Sequence, residues 1–163
     1  MSIDNVLRTS RGNVDFVAAM LEAEARFLVV GGLAVSFYCP EREVDDLDLL
    51  IEPTMSNAKL VLGALSRFVP SHGLFPKQLG DLGKHISLKP HLNGDLLTPT
   101  KTYPSFESMW ASSVPARLAH LEVRLPSRQS LLAMKREASD SDDDEVSRAK
   151  DARDVMSLEK QER

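Results

Sequence analysis

The chain has one cysteine, Cys39, and one tryptophan, Trp110. A single cysteine excludes an internal disulfide and any cysteine-based zinc site. No stretch approaches the roughly 18 consecutive apolar residues of a membrane-spanning helix. The opening MSIDNVLRTS also has none of the apolar core of a secretory signal. These gaps lead to the expectation of a cytoplasmic protein with no membrane partner. A basic excess is missing too: 20 Lys and Arg face 24 Asp and Glu, and the net charge is −4. Residues 136–163 hold ten acids and six bases and so account for all of it. A non-specific nucleic-acid binder draws most of its affinity from neutralised phosphates, which leaves only a locally basic cleft open here.

The 163 residues, 42% apolar and 27% charged, suit one soluble domain with a substantial core. Apolar spacing predicts a helix over 14–25, capped by Asn13, and a short buried strand over 27–30. Gly31 and Gly32 form a turn into a helix that ends before Pro40. A second strand is expected over 44–51, followed by a helix capped by Thr54 or Ser56. Residues 69–84, rich in Pro and Gly, read as a loop. Further strands are expected over 86–89, 92–97 and 118–125, with Phe106 and Trp110 one helical turn apart. Ser127 caps a helix through SLLAMKREAS, and a last helix runs from about residue 145 to the end. The order predicts an α/β (α+β) fold, a small mixed sheet flanked by helices. Its core spans 1–126, and a helical pair over 127–163 packs on it within the same domain.

Chemistry concentrates in FLVVGGLAVSFYCPEREVDDLDLLIE, residues 27–52. Alternate side chains of a strand share a face, so Asp46 and Asp48 project together while Leu47 and Leu49 point into the core. Two like charges so close repel, and desolvation adds to the cost, unless a divalent cation lies between them or both are hydrated at a strand end. Oxygen ligands at this spacing suit Mg²⁺. Glycines before a helix let backbone approach a ligand, and the helix N-terminus offers N–H groups to phosphate.

This pattern, Val30-Gly31-Gly32 and then Asp46-Leu47-Asp48 about a dozen residues on, resembles the nucleotidyltransferase superfamily that includes DNA polymerase beta and the aminoglycoside nucleotidyltransferases. GGLAV followed by R-E-V-D-D-L-D is similar, more narrowly, to bacterial minimal and abortive-infection-type nucleotidyltransferases. Arg42 matches their arginine, while Val44 stands where Thr or Ser is usual. The resemblance implies a third carboxylate, Asp95 in HLNGDLLTP, with Asp81 in LGDLG as its rival. It also implies that Lys135, Lys150, Asp151 and Asp154 match a lysine followed by Lys or Arg-Asp-x-x-Asp on the C-terminal helices. On this pattern Lys135 and Asp151 belong to the catalytic site, with Lys135 facing phosphates; an ion pair between two helices is the competing account of Lys135. DSDDDE, residues 140–145, has no glycine or terminal ligand of a calcium loop and reads as a solvated insertion.

The implied activity is Mg²⁺-dependent transfer of NMP from an NTP such as ATP. Asp46, Asp48 and Asp95 would hold two metal ions, and Asp95 would also accept the proton of the attacking hydroxyl. Gly31, Gly32, Arg42 and Lys135 would hold phosphates. The implied acceptor is a protein partner or tRNA, in a toxin–antitoxin or phage-defence module. A catalytically inactive binding module, an antitoxin or nucleotide sensor, is the alternative. An antibiotic-modifying enzyme fits less well, since those carry a larger helical domain. Oligomeric state stays open.

Overall fold

A computed structural model describes residues 6–44, 46–141 and 144–160. In chain order the elements are β1 (Val6–Leu7), α1 (Arg11–Glu22), β2 (Phe27–Val30), α2 (Gly31–Tyr38), β3 (Leu47–Ile51), α3 (Met55–Leu65), α4 (Lys77–Gly80), β4 (His85–Ser87), β5 (Gly94–Leu97), α5 (Phe106–Ala111), β6 (Val114–Leu118), β7 (Leu121–Leu125), α6 (Arg128–Ser141) and α7 (Glu145–Lys160).

The main sheet has the order β2-β3-β5-β4 and is mixed: β3 runs parallel to β5, while β2 and β4 are antiparallel to their neighbours. A smaller sheet, β1-β6-β7, adjoins it where β7 packs beside β2. This is the α/β class expected, a small mixed sheet flanked by helices. Strand alternation divides the core. Phe27, Val29, Leu47, Leu49, Ile51 and Leu96 face α1 and α3 in the larger apolar cluster. Leu28, Val30 and Leu50 face the other way, against Phe106, Met109 and Met134. Each of these fully buried side chains contributes about 1.5–3 kcal/mol through water exclusion. Asp48 and Asp95 lie on that second face, at the end of the strands where its apolar cover stops.

Several boundaries differ from expectation. Ser10, not Asn13, caps α1, and its hydroxyl accepts from the Asn13 amide (3.4 Å). Asn13 is fully buried one turn inside the helix, where its side-chain amide donates to Thr9 (2.8 Å) and to the Asn93 carbonyl (3.0 Å). Its own carbonyl accepts from the Asn93 amide (3.2 Å). Asn13 therefore pins the start of β5, two residues before Asp95. The paired part of β3 begins at Leu47 rather than residue 44, so Asp46 sits just ahead of the ladder. The apolar run 118–125 is the second half of a hairpin, β6–β7, turned at Ala119 with φ 52°. Residues 69–84 contain the short α4. Thr54 and Ser127 cap as expected, accepting from Asn57 (3.2 Å) and Ser130 (3.1 Å). Asp142 and Asp143 of the acidic stretch lie outside the described residues.

Replacing Asn13 with Ala strands the N–H of Asn93, whose carbonyl keeps the Leu47 N–H (2.9 Å), and leaves a gap in the core. The expected loss is about 2 kcal/mol, seen as a melting temperature lower by about 5 °C. Unchanged melting would show that Asn93 finds other partners.

Candidate active site

The fold brings most of the sequence candidates to one cleft of about 340 Å³, at the end of the main sheet and beneath α6 and α7. Its floor is made by Asp48 and Asp95, direct neighbours in the β3–β5 register. Asp46 stands at the rim, 42% exposed, with Lys89 3.5 Å from its carboxylate. On the outer side, His85 Nε2 lies 3.1 Å from Asp95. Asp95 is an in-strand residue. Its predecessor Gly94 is required because a Cβ there would overlap the Leu47 carbonyl of the neighbouring strand. Asp81, the rival, has an exposed side chain and is not among the cleft's lining residues; its carbonyl accepts from Thr98 (2.7 Å).

The glycine pair opens α2 itself rather than preceding it. Gly31 adopts φ 65°, a conformation costly for residues with a side chain. The Asp48 carboxylate fills the space where a Cβ of residue 31 would project. Gly32 lines the cleft and abuts Val44 and the Arg42 guanidinium. Position 44 thus supplies an apolar wall at the helix start, with no hydroxyl.

The cations enter from the other side. Lys135 on α6 reaches Asp151 (3.0 Å) and Asp154 (3.0 Å) of α7. Arg42 Nε donates to the second oxygen of Asp154 (2.8 Å), and Arg42 also donates to the Glu43 carbonyl. Asp154, only 2% exposed, therefore ties together a helix and the loop before β3. Lys135 forms the inter-helix ion pair and also lines the cleft. Lys150 and Ser147 line the same opening. Asp154 matched the sequence motif, but nothing local marks it as the junction of two cations. Glu43 and Ser147 carried no signal.

Burial raises the Asp48 carboxyl to about 6; the adjacent Asp95, and to a lesser degree Asp46, push the same way against Lys135 and His85. Burial also raises Asp154, but its bonds to Arg42 and Lys135 outweigh this and hold it below the ordinary carboxylate range. The site thus has one acid whose charge is compensated and one whose charge is not.

Among the described residues, no three His, Cys, Asp or Glu side chains are grouped so that they could hold a metal ion. Mg²⁺ does not ask for such a group. It keeps several waters and binds through one or two carboxylates together with substrate phosphates. Asp48 and Asp95 side by side, with Asp46 at the rim, offer only oxygen atoms to a cation.

The mixed sheet carries a glycine-initiated helix at one strand end and acids on the next two strands. Among solved structures the chain is similar to the crystal structure of an antigenic nucleotidyltransferase-like protein from Paracoccidioides brasiliensis. The TM-score is 0.52 at 17% identity, covering 90% of this chain and 74% of that one. No protein-family model matches the chain, and no curated protein does. No helix among the described residues is long and apolar enough to cross a membrane.

Proposed function

We propose that the chain transfers a nucleoside monophosphate from an NTP to a macromolecular acceptor, with Mg²⁺ held by Asp48 and Asp95 and its shell completed by substrate phosphates and by Asp46 from the rim. The observation that carries this reading is the contact between the Asp48 carboxylate and Gly31, with Asp95 in register beside Asp48. It puts a charge-hungry acid at the start of a helix suited to phosphates. Magnesium in such a site neutralises triphosphate charge and orients the reacting groups.

The chain's own groups divide the remaining work. Gly31, Gly32 and the first N–H groups of α2 take the phosphate tail, with Arg42, Lys135 and the cleft-lining Lys150 as counter-charges. The acceptor hydroxyl approaches from the Asp95 side, where Asp95 accepts its proton. The new bond forms between acceptor oxygen and α-phosphorus, the α–β bridging bond breaks, and pyrophosphate leaves. Asp151 holds Lys135 over the cleft. The acidic balance of the chain favours a protein acceptor over tRNA, as in a toxin–antitoxin or phage-defence pair.

Incubation with each labelled NTP, Mg²⁺ and a cell lysate tests this. Label is expected in protein; label in RNA would redirect the acceptor to tRNA. A second reading has its own support: His85 and Lys89 already engage Asp95 and Asp46. If calorimetry finds Mg²⁺-dependent NTP binding and no acceptor is ever labelled, the protein is an inactive nucleotide sensor or antitoxin. If neither binding nor transfer occurs, the nucleotidyltransferase reading falls.

A further inference from the structure

Beside the cleft, a second recess of about 130 Å³ is lined by Lys135 and Asp48 among others. Asp48 and Lys135 line both spaces. The two differ in chemistry. The cleft is walled by acids and cations, whereas the recess is walled by Val30, Leu97, Tyr103, Leu131, Met134 and Ala138. The recess continues the apolar face built by Val30 and Met134, where that face ends short of the acids. On the outer side the Thr100 hydroxyl donates to Glu137 of α6 (2.9 Å), tying α6 to the segment that follows β5.

We propose that this recess takes the nucleobase of the bound NTP. The inference rests on the nucleotidyltransferase reading and adds to it where the base lies and how it is recognised. Three observations favour a base. Drug-sized ligands fill roughly 300–1,000 Å³, so a recess of about 130 Å³ holds one planar ring system and not a whole nucleotide. Gly31 and Asp48, on the phosphate side of the site, line it, and neither Asp46 nor Asp95 does. A group seated there belongs to the molecule whose phosphates lie on α2, rather than to the acceptor arriving beside Asp95. Finally, a Tyr ring and a Met thioether are polarisable surfaces suited to a π-face.

The Tyr103 hydroxyl is the one uncharged side-chain hydrogen-bonding group in the lining. Burial, followed by Glu137 and Asp151, raises it to about 12, so it remains a neutral donor at every working pH. Stacking with so little polar readout distinguishes bases poorly. The site is therefore expected to accept all four NTPs and to prefer purines for their larger contact area.

The test titrates Mg²⁺ complexes of ATP and of inorganic tripolyphosphate into the whole protein and into Ala138→Phe, which fills the recess from the α6 side. ATP affinity should fall about tenfold, while tripolyphosphate, which has no base, binds as before. Unchanged ATP affinity in a folded Ala138→Phe overturns the proposal, and so does a loss confined to transfer onto the acceptor. Either result leaves the phosphate site and the enzyme class standing. If the unaltered protein binds neither ligand, the class reading and this proposal fall together. A photoreactive azido-purine triphosphate supplies a readout independent of any variant. On irradiation it should label peptides containing Tyr103 or Met134, and labelling confined to Ser147–Asp151 would overturn the assignment.

Discussion

Asp48→Asn is expected to make the metal-free protein more stable while abolishing nucleotidyl transfer. The Asp48 carboxyl titrates at about 6 in the fold, against about 4 in an unfolded chain. The folded state therefore holds this proton over a pH range where the unfolded chain has lost it. Stability falls as pH rises through that interval and stays lower above it. At neutral pH the penalty is about 2 kcal/mol, allowing for partial exposure. Asn matches the shape without the charge, so the variant should melt about 5 °C higher at neutral pH and about equally at pH below the interval. Mg²⁺ should reverse the order, raising the melting temperature of the unaltered protein and leaving the variant's unmoved. Its grip should weaken as acid protonates Asp48. Transfer should drop about a thousandfold or more, the several kcal/mol that a correctly held metal supplies. A variant that loses stability at neutral pH, or that still transfers, would contradict the role given to Asp48.

Asp154 should behave in the opposite sense. It is buried, and both of its oxygens are engaged by cations from different elements. Asp154→Ala leaves Arg42 without its carboxylate partner and Lys135 with Asp151 alone. Removing one member of a buried ionic group costs about 3–5 kcal/mol, here a melting temperature lower by about 10 °C. Because its carboxyl is held below the ordinary range, its contribution is present above the unfolded value and is lost as pH falls through the folded one. Asp154→Asn should flatten that acid-side slope. As a positioning residue, Asp154 should also act on substrate. With Arg42 and Lys135 loosened, KM for the NTP should rise more than kcat falls in Asp154→Asn. An unchanged KM would reduce Asp154 to a structural tie.

The motif end of the molecule was legible because its signals are local. Two glycines after an apolar strand, and an acid near the start of the next, specify their geometry within a few residues, whereas Asp46, expected to share the strand with Asp48, falls just ahead of it. The C-terminal cluster was legible only as a resemblance, because Lys135, Asp151 and Asp154 meet through helix packing that spacing does not encode. The parts that were missed depend on distant contacts. β1 is two residues long and exists through its pairing with β6. The β6–β7 turn uses Ala119 and His120, without the glycine or asparagine that normally marks a left-handed turn. Asn13 looks like a cap in sequence, yet Ser10 takes that place and Asn13 is used for a partner 80 positions away. The apolar recess left no trace because its walls are ordinary core residues until α6 is set against the sheet.

The meeting of Gly31 and Asp48 has a consequence for how the chain can vary. The empty volume beside one backbone atom is the seat of the other residue's carboxylate. A methyl group at position 31 would therefore evict the acid at position 48 without touching its codon. In a deep mutational scan the two positions should share a single tolerance profile, though 17 places separate them along the chain.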